Sequence, residues 1–264
     1  MTEVPTLAAL LEARALDPGE RPFLLFEDRV LTFAETNRLV NRAAHGLAGL
    51  GVGRGVGVAI MMPNVPEWLV AYFATQKLGA YAVPVNVALK GEGLRYVLDH
   101  CDASVLVTHP EHAEALTAVL DGAPGIREVV VDTTIAPDGW PVPAGWRTLA
   151  TVMDAPDADP RVEIDPGAPN AIMYTSGTTG APKGVVNRYG AFNAEGLLLL
   201  GGPIQDDDVL YTCLPLFHAN ALWLTTVRAL AAGRPMALAR RFSASRFWDD
   251  VRRYGVTTFT KMRL

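Results

Sequence analysis

Cysteine is scarce in this sequence. Cys101 and Cys213 are the only two, 112 positions apart. That excludes a disulfide scaffold or a zinc knuckle and makes a reducing compartment the expected setting. Concentrated positive charge is also missing. The chain carries 23 Lys and Arg against 28 Asp and Glu, a net charge of −5, so nucleic acid finds no electrostatic footprint. No apolar run reaches the ~18 residues of a membrane span. Leu197–Leu200 is too short, and Trp68–Val85 is interrupted by Gln76 and Lys77. Met1–Pro5 places no basic residue ahead of an apolar stretch, so no secretory leader is expected. The expected localisation is cytoplasmic.

What is present is a core-forming composition. The chain has 264 residues, 50% hydrophobic and 8% aromatic, which excludes a disordered polypeptide. That length suits one large domain or two small ones. The mean hydropathy of +0.18 is high for a soluble chain.

Helical and strand patterns alternate. Leu7, Leu10 and Leu11 share the face of a first short helix that stops near Asp17-Pro18-Gly19. Phe23–Phe26 and Val30–Phe33 read as a hairpin, and Ala34–Leu50 as a helix closed by Gly51. Val56–Met61 is a β-branched run. Asn64 is expected to cap a helix over Pro66–Leu78, with Pro66 placed where it costs no hydrogen bond. Strand Ala80–Val85, helix Gly93–His100, strand Ser104–Val107, helix Glu111–Leu120 and strand Glu128–Val131 follow. This rhythm predicts an α/β fold, mostly parallel sheets with helices on both faces. Short apolar strands without alternation fit sheets covered on both sides.

Between Ala136 and Pro169 the texture changes. Seven prolines fall there, with Trp140, Trp146 and many aspartates. A long connection and a boundary are expected, dividing the chain into 1–165 and 166–264. The rhythm resumes with strand Asn170–Tyr174, a glycine-rich loop, helix Tyr189–Leu200, strand Val209–Cys213, helix Asn220–Ala232 and strand Pro235–Ala239. A last helix, Ser243–Tyr254, is expected to be capped by Ser243 and stopped by Gly255, before strand Val256–Phe259.

The glycine-rich loop carries the chemistry. Thr175-Ser176-Gly177-Thr178-Thr179-Gly180-Ala181-Pro182-Lys183-Gly184 packs four hydroxyls, three glycines and one lysine into ten residues. Glycines let backbone N–H groups converge on an anion. The hydroxyls add neutral donors and Lys183 a positive charge, a set suited to polyphosphate. The string is not a Walker A loop. Pro182 precedes the lysine and Gly184 follows it, where that motif needs glycine before and a hydroxyl after. A kinase or P-loop NTPase reading therefore fails.

This loop resembles the phosphate-binding signature of the adenylate-forming (AMP-binding) enzymes, in their acyl-CoA synthetase and ligase branch. Asn41-Arg42-Ala43-Ala44, Leu50-Gly51-Val52, Pro63-Asn64 with Glu67, Lys77-Leu78-Gly79-Ala80 and Val83-Pro84-Val85-Asn86 are similar to the N-terminal half of that family. Leu214-Pro215-Leu216-Phe217-His218 is similar to a second signature. The resemblance implies the N-terminal part of the family's fold and a two-step reaction. A carboxylate attacks the α-phosphate of ATP, giving an acyl-adenylate and pyrophosphate. Coenzyme A then takes the acyl group as a thioester; a carrier-protein thiol stays open as the acceptor. The resemblance implies that Thr175, Ser176, Gly177, Thr178, Thr179, Gly180 and Lys183 grip the ATP phosphates. It puts Mg, which accompanies ATP, near Thr175, and it sets His218 at the border of the acyl and adenylate pocket. Asn220 and Trp223, within two turns of His218, are candidates for the same lining. Fatty acid metabolism is the implied context.

Relatives in that family are about twice this long. A Tyr-Gly-x-Thr-Glu-like segment, a ribose-binding aspartate and a late adenylation lysine are not found here. The sequence therefore reads as a truncated form, inactive alone in adenylation. Its alternative reading is a non-catalytic remnant that at most binds nucleotide or a partner chain, with association through an exposed apolar edge at Val256–Phe259. Other features read as structural. His109-Pro110-Glu111-His112 lacks a third metal ligand, Asp206-Asp207-Asp208 is a solvated turn, and the cysteines are small buried fillers.

Overall fold

The computed structural model describes residues 6–16, 20–175, 181–191 and 202–259. In chain order the described elements begin with α1 (Leu7–Leu16), β1 (Pro22–Phe26), β2 (Arg29–Thr32), α2 (Phe33–Gly49), β3 (Gly57–Met61), α3 (Pro66–Lys77) and β4 (Tyr81–Pro84). They continue through α4 (Gly91–His100), β5 (Ala103–Thr108), α5 (Ala113–Thr117), β6 (Glu128–Val131), β7 (Arg147–Thr148), α6 (Leu149–Val152), β8 (Pro169–Thr175) and β9 (Lys183–Arg188). After these come β10 (Leu210–Thr212), a π-helix Asn220–Val227, an α-helix Arg228–Ala232, β11 (Met236–Leu238), an α-helix Phe247–Tyr254 and β12 (Thr258–Phe259). The expected α/β architecture with mostly parallel sheets is what the structure has.

Compactness groups these elements into two units. One comprises Met1–Arg38, Pro63–Trp68 and Phe192–Leu264, the other Leu39–Met62 and Leu69–Ala191. The expected pieces 1–165 and 166–264 divide the chain in sequence order. The units instead follow packing: β8 and β9, from the later piece, pair into the same sheet as β3–β7.

The second unit holds a seven-stranded sheet in the order β7-β6-β5-β3-β4-β8-β9. Only the β8–β9 pair is antiparallel. Every residue of β3 and β5 is buried, which is why these strands read as unbroken apolar runs. Ala59, Met61, Val83, Leu94, Leu98 and Leu106 belong to its core. Tyr81 belongs to this core too, and its hydroxyl donates to the carbonyls of Cys101 and Asp102, both at 3.0 Å. Gly57 leaves room for that ring; a Cβ there would lie 2.6 Å from it.

Two expectations change here. The helix expected over Glu111–Leu120 is broken into a 3-10 turn at Pro110–His112, the short α5 and a second 3-10 turn at Leu120–Gly122. The proline-rich connection also contains structure. β7 extends the sheet beside β6, with Arg147 paired to Glu128 at 2.9 Å, and Thr148 caps α6 by accepting from the Thr151 N–H.

The first unit holds a five-stranded sheet in the order β12-β10-β11-β1-β2. The expected β1–β2 hairpin forms, and the other pairings are parallel. α1 buries Leu7 and Leu11. Its Arg14 donates to the carbonyls of Leu230 and Ala231, at the end of the helix Arg228–Ala232, where cationic donors are favoured. Gly255 stops the helix Phe247–Tyr254 at φ 62, as expected. Ser243 is not that helix's cap: the residue at its start is Arg246, with no side-chain cap bond. The Ser243 carbonyl instead accepts from the N–H groups of Arg246 and Phe247 in a preceding turn. β12 ends the sheet, and Phe259 on it is exposed.

Candidate functional site

The glycine-rich loop joins two strands of one antiparallel pair. β8 and β9 run in register from Ala171↔Asn187 to Thr175↔Lys183. The sequence pattern had suggested a strand followed by a helix at Tyr189; instead β9 follows the loop, and Tyr189–Ala191 is a single 3-10 turn. The rest of the helix expected to Leu200 lies outside the described residues, as do Ser176, Gly177, Thr178, Thr179 and Gly180. Thr175 and Lys183 therefore face each other across the two strand ends that carry the loop. Both are exposed. The Thr175 hydroxyl donates to the Lys183 carbonyl at only 3.5 Å.

The pair is anchored away from the loop. The Tyr189 hydroxyl, buried and thereby held protonated, donates to the Ala80 carbonyl at 2.6 Å and reaches that of Gln76 at 3.3 Å. Gln76 in turn donates to the Asn170 carbonyl at 2.9 Å. Nearer the loop, Tyr174 lies 2.7 Å from His100 Nδ1. Burial raises the Tyr174 pKa, so its hydroxyl stays protonated. Tyr96 stacks on that imidazole, centroids 5.2 Å apart. Gly184 has a packing reason: it sits opposite Tyr174, and a Cβ there would come within 2.8 Å of Ile172 Cγ2. Thus the bases of both strands are fixed while the loop-bearing ends are open to solvent.

This donor set offers a magnesium ion few ligands. Among the described residues no group of three or more His, Cys, Asp or Glu could hold an ion. The exposed Thr175 hydroxyl offers one oxygen, held only by its long contact to Lys183. That fits Mg²⁺ carried in on a polyphosphate, since this ion keeps several waters and takes few protein ligands in nucleotide sites.

The second signature belongs to the five-stranded unit. After β10 the chain turns through Leu214–His218, with the His218 N–H donating to the Pro215 carbonyl at 3.0 Å. Phe217 lies against the His218 imidazole, centroids 4.4 Å apart. His218 is exposed, yet the atoms around it remove enough water to lower its pKa, so the ring is neutral at pH 7. Asn220 and Trp223 stand on the π-helix, both partly buried. Its wide winding shows in the Thr226 hydroxyl, which donates five residues back to the Ala221 carbonyl at 3.1 Å. π-turns are rare and concentrate at functional sites. The expected helix Asn220–Ala232 is thus two windings in succession.

Asn64 is the residue whose role sequence reasoning missed. It was expected to cap α3. Its carboxamide instead donates to the carbonyls of Leu214 at 2.9 Å and Ala239 at 3.0 Å, and accepts from the Leu216 N–H at 2.9 Å. Asparagine before a helix signals a cap. Nothing local distinguishes that from a clasp on residues 150 positions away.

The remaining features are structural. His109 caps the Pro110–His112 turn. Cys101 is buried as expected, whereas Cys213 is only partly buried, and Asp208 accepts from Thr257, Thr258 and the Gln205 N–H. Among the described residues no helix is long and apolar enough to cross a membrane.

Comparison with known proteins adds four findings. The sequence profile described as AMP-binding enzyme matches residues 11–262. Long-chain fatty acid transport protein 2 of Rattus norvegicus is 34% identical over 266 residues, covering 96% of this chain and 41% of its own length. The medium/long-chain-fatty-acid–CoA ligase FadD6 of Mycobacterium tuberculosis is 34% identical over 257 residues, with the same coverages of 96% and 41%. Among solved structures, the anthranilate CoA ligase AuaEII in complex with anthranoyl-AMP shares the fold. Its TM-score is 0.89 over 98% of this chain and 50% of its own, at 23% identity. The chain spans about half the length of the curated relatives it matches.

Proposed function

Because the chain belongs to the AMP-binding enzyme family, we propose that it supplies the phosphate-gripping part of an AMP-forming carboxylate–CoA ligase. The observation that supports this most is the pairing of Thr175 with Lys183 at the ends of β8 and β9. It puts a hydroxyl and a cation on either side of a Gly/Ser/Thr loop, above a fixed base.

In the proposed reaction a carboxylate oxygen attacks the α-phosphorus of ATP, and the bond to the β-phosphate bridging oxygen breaks. Pyrophosphate leaves and an acyl-adenylate remains. The thiol of coenzyme A then attacks the acyl carbon, the thiol proton is lost and AMP departs. The roles proposed for this chain are binding and orientation. Thr175, Ser176, Gly177, Thr178, Thr179, Gly180 and Lys183 hold the β- and γ-phosphates, with prepositioned donors aimed at charge that grows as pyrophosphate leaves. The Thr175 hydroxyl is the group that would touch Mg²⁺, which supplies charge neutralisation on the phosphates when bound. His218, Asn220 and Trp223 border the acyl group. A neutral His218 suits that place, because it brings no charge to an apolar acyl chain. The proposed setting is the cytoplasm.

A second reading is favoured by the lack of any Tyr-Gly-x-Thr-Glu-like segment among the 264 residues. On that reading these residues alone bind nucleotide without forming the adenylate. Two assays separate the readings. ATP binding by titration calorimetry, with Lys183→Ala beside the parent, tests the grip. Loss of one charge-assisted contact, about 1.5–3 kcal/mol, is expected to weaken ATP roughly 10- to 100-fold. Equal affinities would refute the assigned loop. Carboxylate-dependent exchange of pyrophosphate into ATP by the same chain would refute the second reading.

A further inference from the structure

We propose that Asn64 is a positioning residue for the His218 segment: its carboxamide fixes the turn Leu214–His218 against the end of β11 and so sets where His218 and the π-helix begin. Calling that segment an acyl site rests on the function proposed above; the positioning itself does not.

The geometry is specific. Asn64 is 4% exposed. Both of its N–H hydrogens are used on carbonyls, Leu214 and Ala239, and its oxygen takes the Leu216 N–H. The bonds to Leu214 and Leu216 bracket Pro215. That proline has no N–H of its own, and its carbonyl accepts from the His218 N–H. On the upstream side the Leu214 N–H donates to the Thr212 hydroxyl at 3.2 Å. The path from β10 to the imidazole is therefore a continuous run of hydrogen bonds with Asn64 at its centre. Ala239 directly follows β11, so the third bond ties the turn to the neighbouring strand's carboxyl end. Open α/β sheets bind ligands at the carboxyl ends of their strands. The Asn64 side has its own anchor: Glu67, one turn on, pairs with Arg29 of β2 at 2.7 Å.

The chemistry allows little substitution. Aspartate keeps the shape and the acceptor for Leu216 but turns a second acceptor toward two carbonyl oxygens. Alanine leaves all three backbone groups without this partner. In both variants the turn loses its tie to β11.

The test is the NMR signature of His218 in the full chain, with its imidazole assigned by the loss of signal in His218→Gln. The parent, Asn64→Asp, Asn64→Ala and Leu11→Ala are compared. Leu11→Ala is a core truncation in the same unit that touches none of these bonds, and it controls for general destabilisation. The expected result is displaced His218 imidazole resonances and faster exchange of the Leu216 amide in both Asn64 variants, with neither change in Leu11→Ala. Asn64→Asp, nearly isosteric, keeps the test open if Asn64→Ala does not fold. Unmoved His218 resonances in a folded Asn64 variant, or equal displacement in Leu11→Ala, would overturn the proposal. A second readout addresses the site. Affinity for a non-hydrolysable acyl-sulfamoyl adenosine is expected to fall at least tenfold in Asn64→Asp, more than its affinity for ATP. If the parent binds no such analogue, the function proposed above fails while the NMR result still decides the positioning.

Discussion

Gly46 offers a test in which two known effects oppose each other. It lies inside α2, where glycine costs about 1 kcal/mol relative to alanine, so propensity alone favours Gly46→Ala. The surroundings say otherwise. A Cβ at Gly46 would lie 1.9 Å from the Val152 carbonyl oxygen and 2.7 Å from both its carbonyl carbon and Cγ1. Ordinary contacts between non-bonded carbons are about 3.5–4.0 Å, so α2 and the end of α6 must part by more than an ångström. Forced overpacking costs about 1–3 kcal/mol. The movement also strains bonds from the same helix to the following chain: Arg42 Nε to the Met153 carbonyl and Asn41 Nδ2 to that of Asp157, both 2.8 Å, and His45 to that of Ala158 at 2.9 Å. Each carries about 0.5–1.5 kcal/mol net. Losing one or two of them together with the overpacking exceeds the propensity gain, for a net loss of about 0.5–5 kcal/mol. Gly49, at the end of the same helix, has nothing within 4 Å of its would-be Cβ. Gly49→Ala is expected to raise stability by a few tenths to about 1 kcal/mol. Urea unfolding followed by far-ultraviolet circular dichroism measures both. Parent-like or greater stability in Gly46→Ala would refute the close approach of α2 to α6.

Two further outcomes follow from buried hydroxyl and thiol groups. Tyr189→Phe is expected to destabilise by about 1–3 kcal/mol, because the Ala80 carbonyl loses its 2.6 Å donor in a buried place; urea unfolding checks it, and an unchanged midpoint would count against the anchor. Burial pushes Cys101 up to about 11 and Tyr81 up to about 12, from ordinary values of 9.0 and 10.0. Above pH 9 these two groups therefore hold more protons in the native state than in the unfolded chain, so their contribution to stability is level below that pH and falls between about 9 and 12. Unfolding measured across that range, with Tyr81→Phe beside the parent, checks the sign; the variant is expected to show a shallower alkaline decline.

Much of the fold was legible because its signals are local. β3 and β5 are runs of apolar residues buried along their full length, and no partner is needed to recognise them. The hairpin β1–β2 and the stop at Gly255 rest on turn chemistry within a few residues. The glycine-rich loop stands out because its ordered string of glycines, hydroxyls and one lysine lies in ten adjacent residues. What escaped depends on residues far apart in the chain. Lys183–Arg188 mixes charged, small and β-branched residues; it is a strand because β8 lies beside it and Gly184 clears Ile172. Asn220–Val227 puts apolar residues at most positions with no clear helical stripe, so its periodicity does not separate a π-winding from an α-helix.

The sequence alone determined the alternating strands and helices and the likeness to adenylate-forming enzymes, because each is written in neighbouring residues. Only the tertiary structure decided that Thr175 faces Lys183, that β8 and β9 complete the sheet begun at Gly57, and that Asn64 clasps a turn 150 positions onward instead of capping its own helix. A side chain able to make three hydrogen bonds takes the partners that packing brings to it, and no reading of adjacent residues names them.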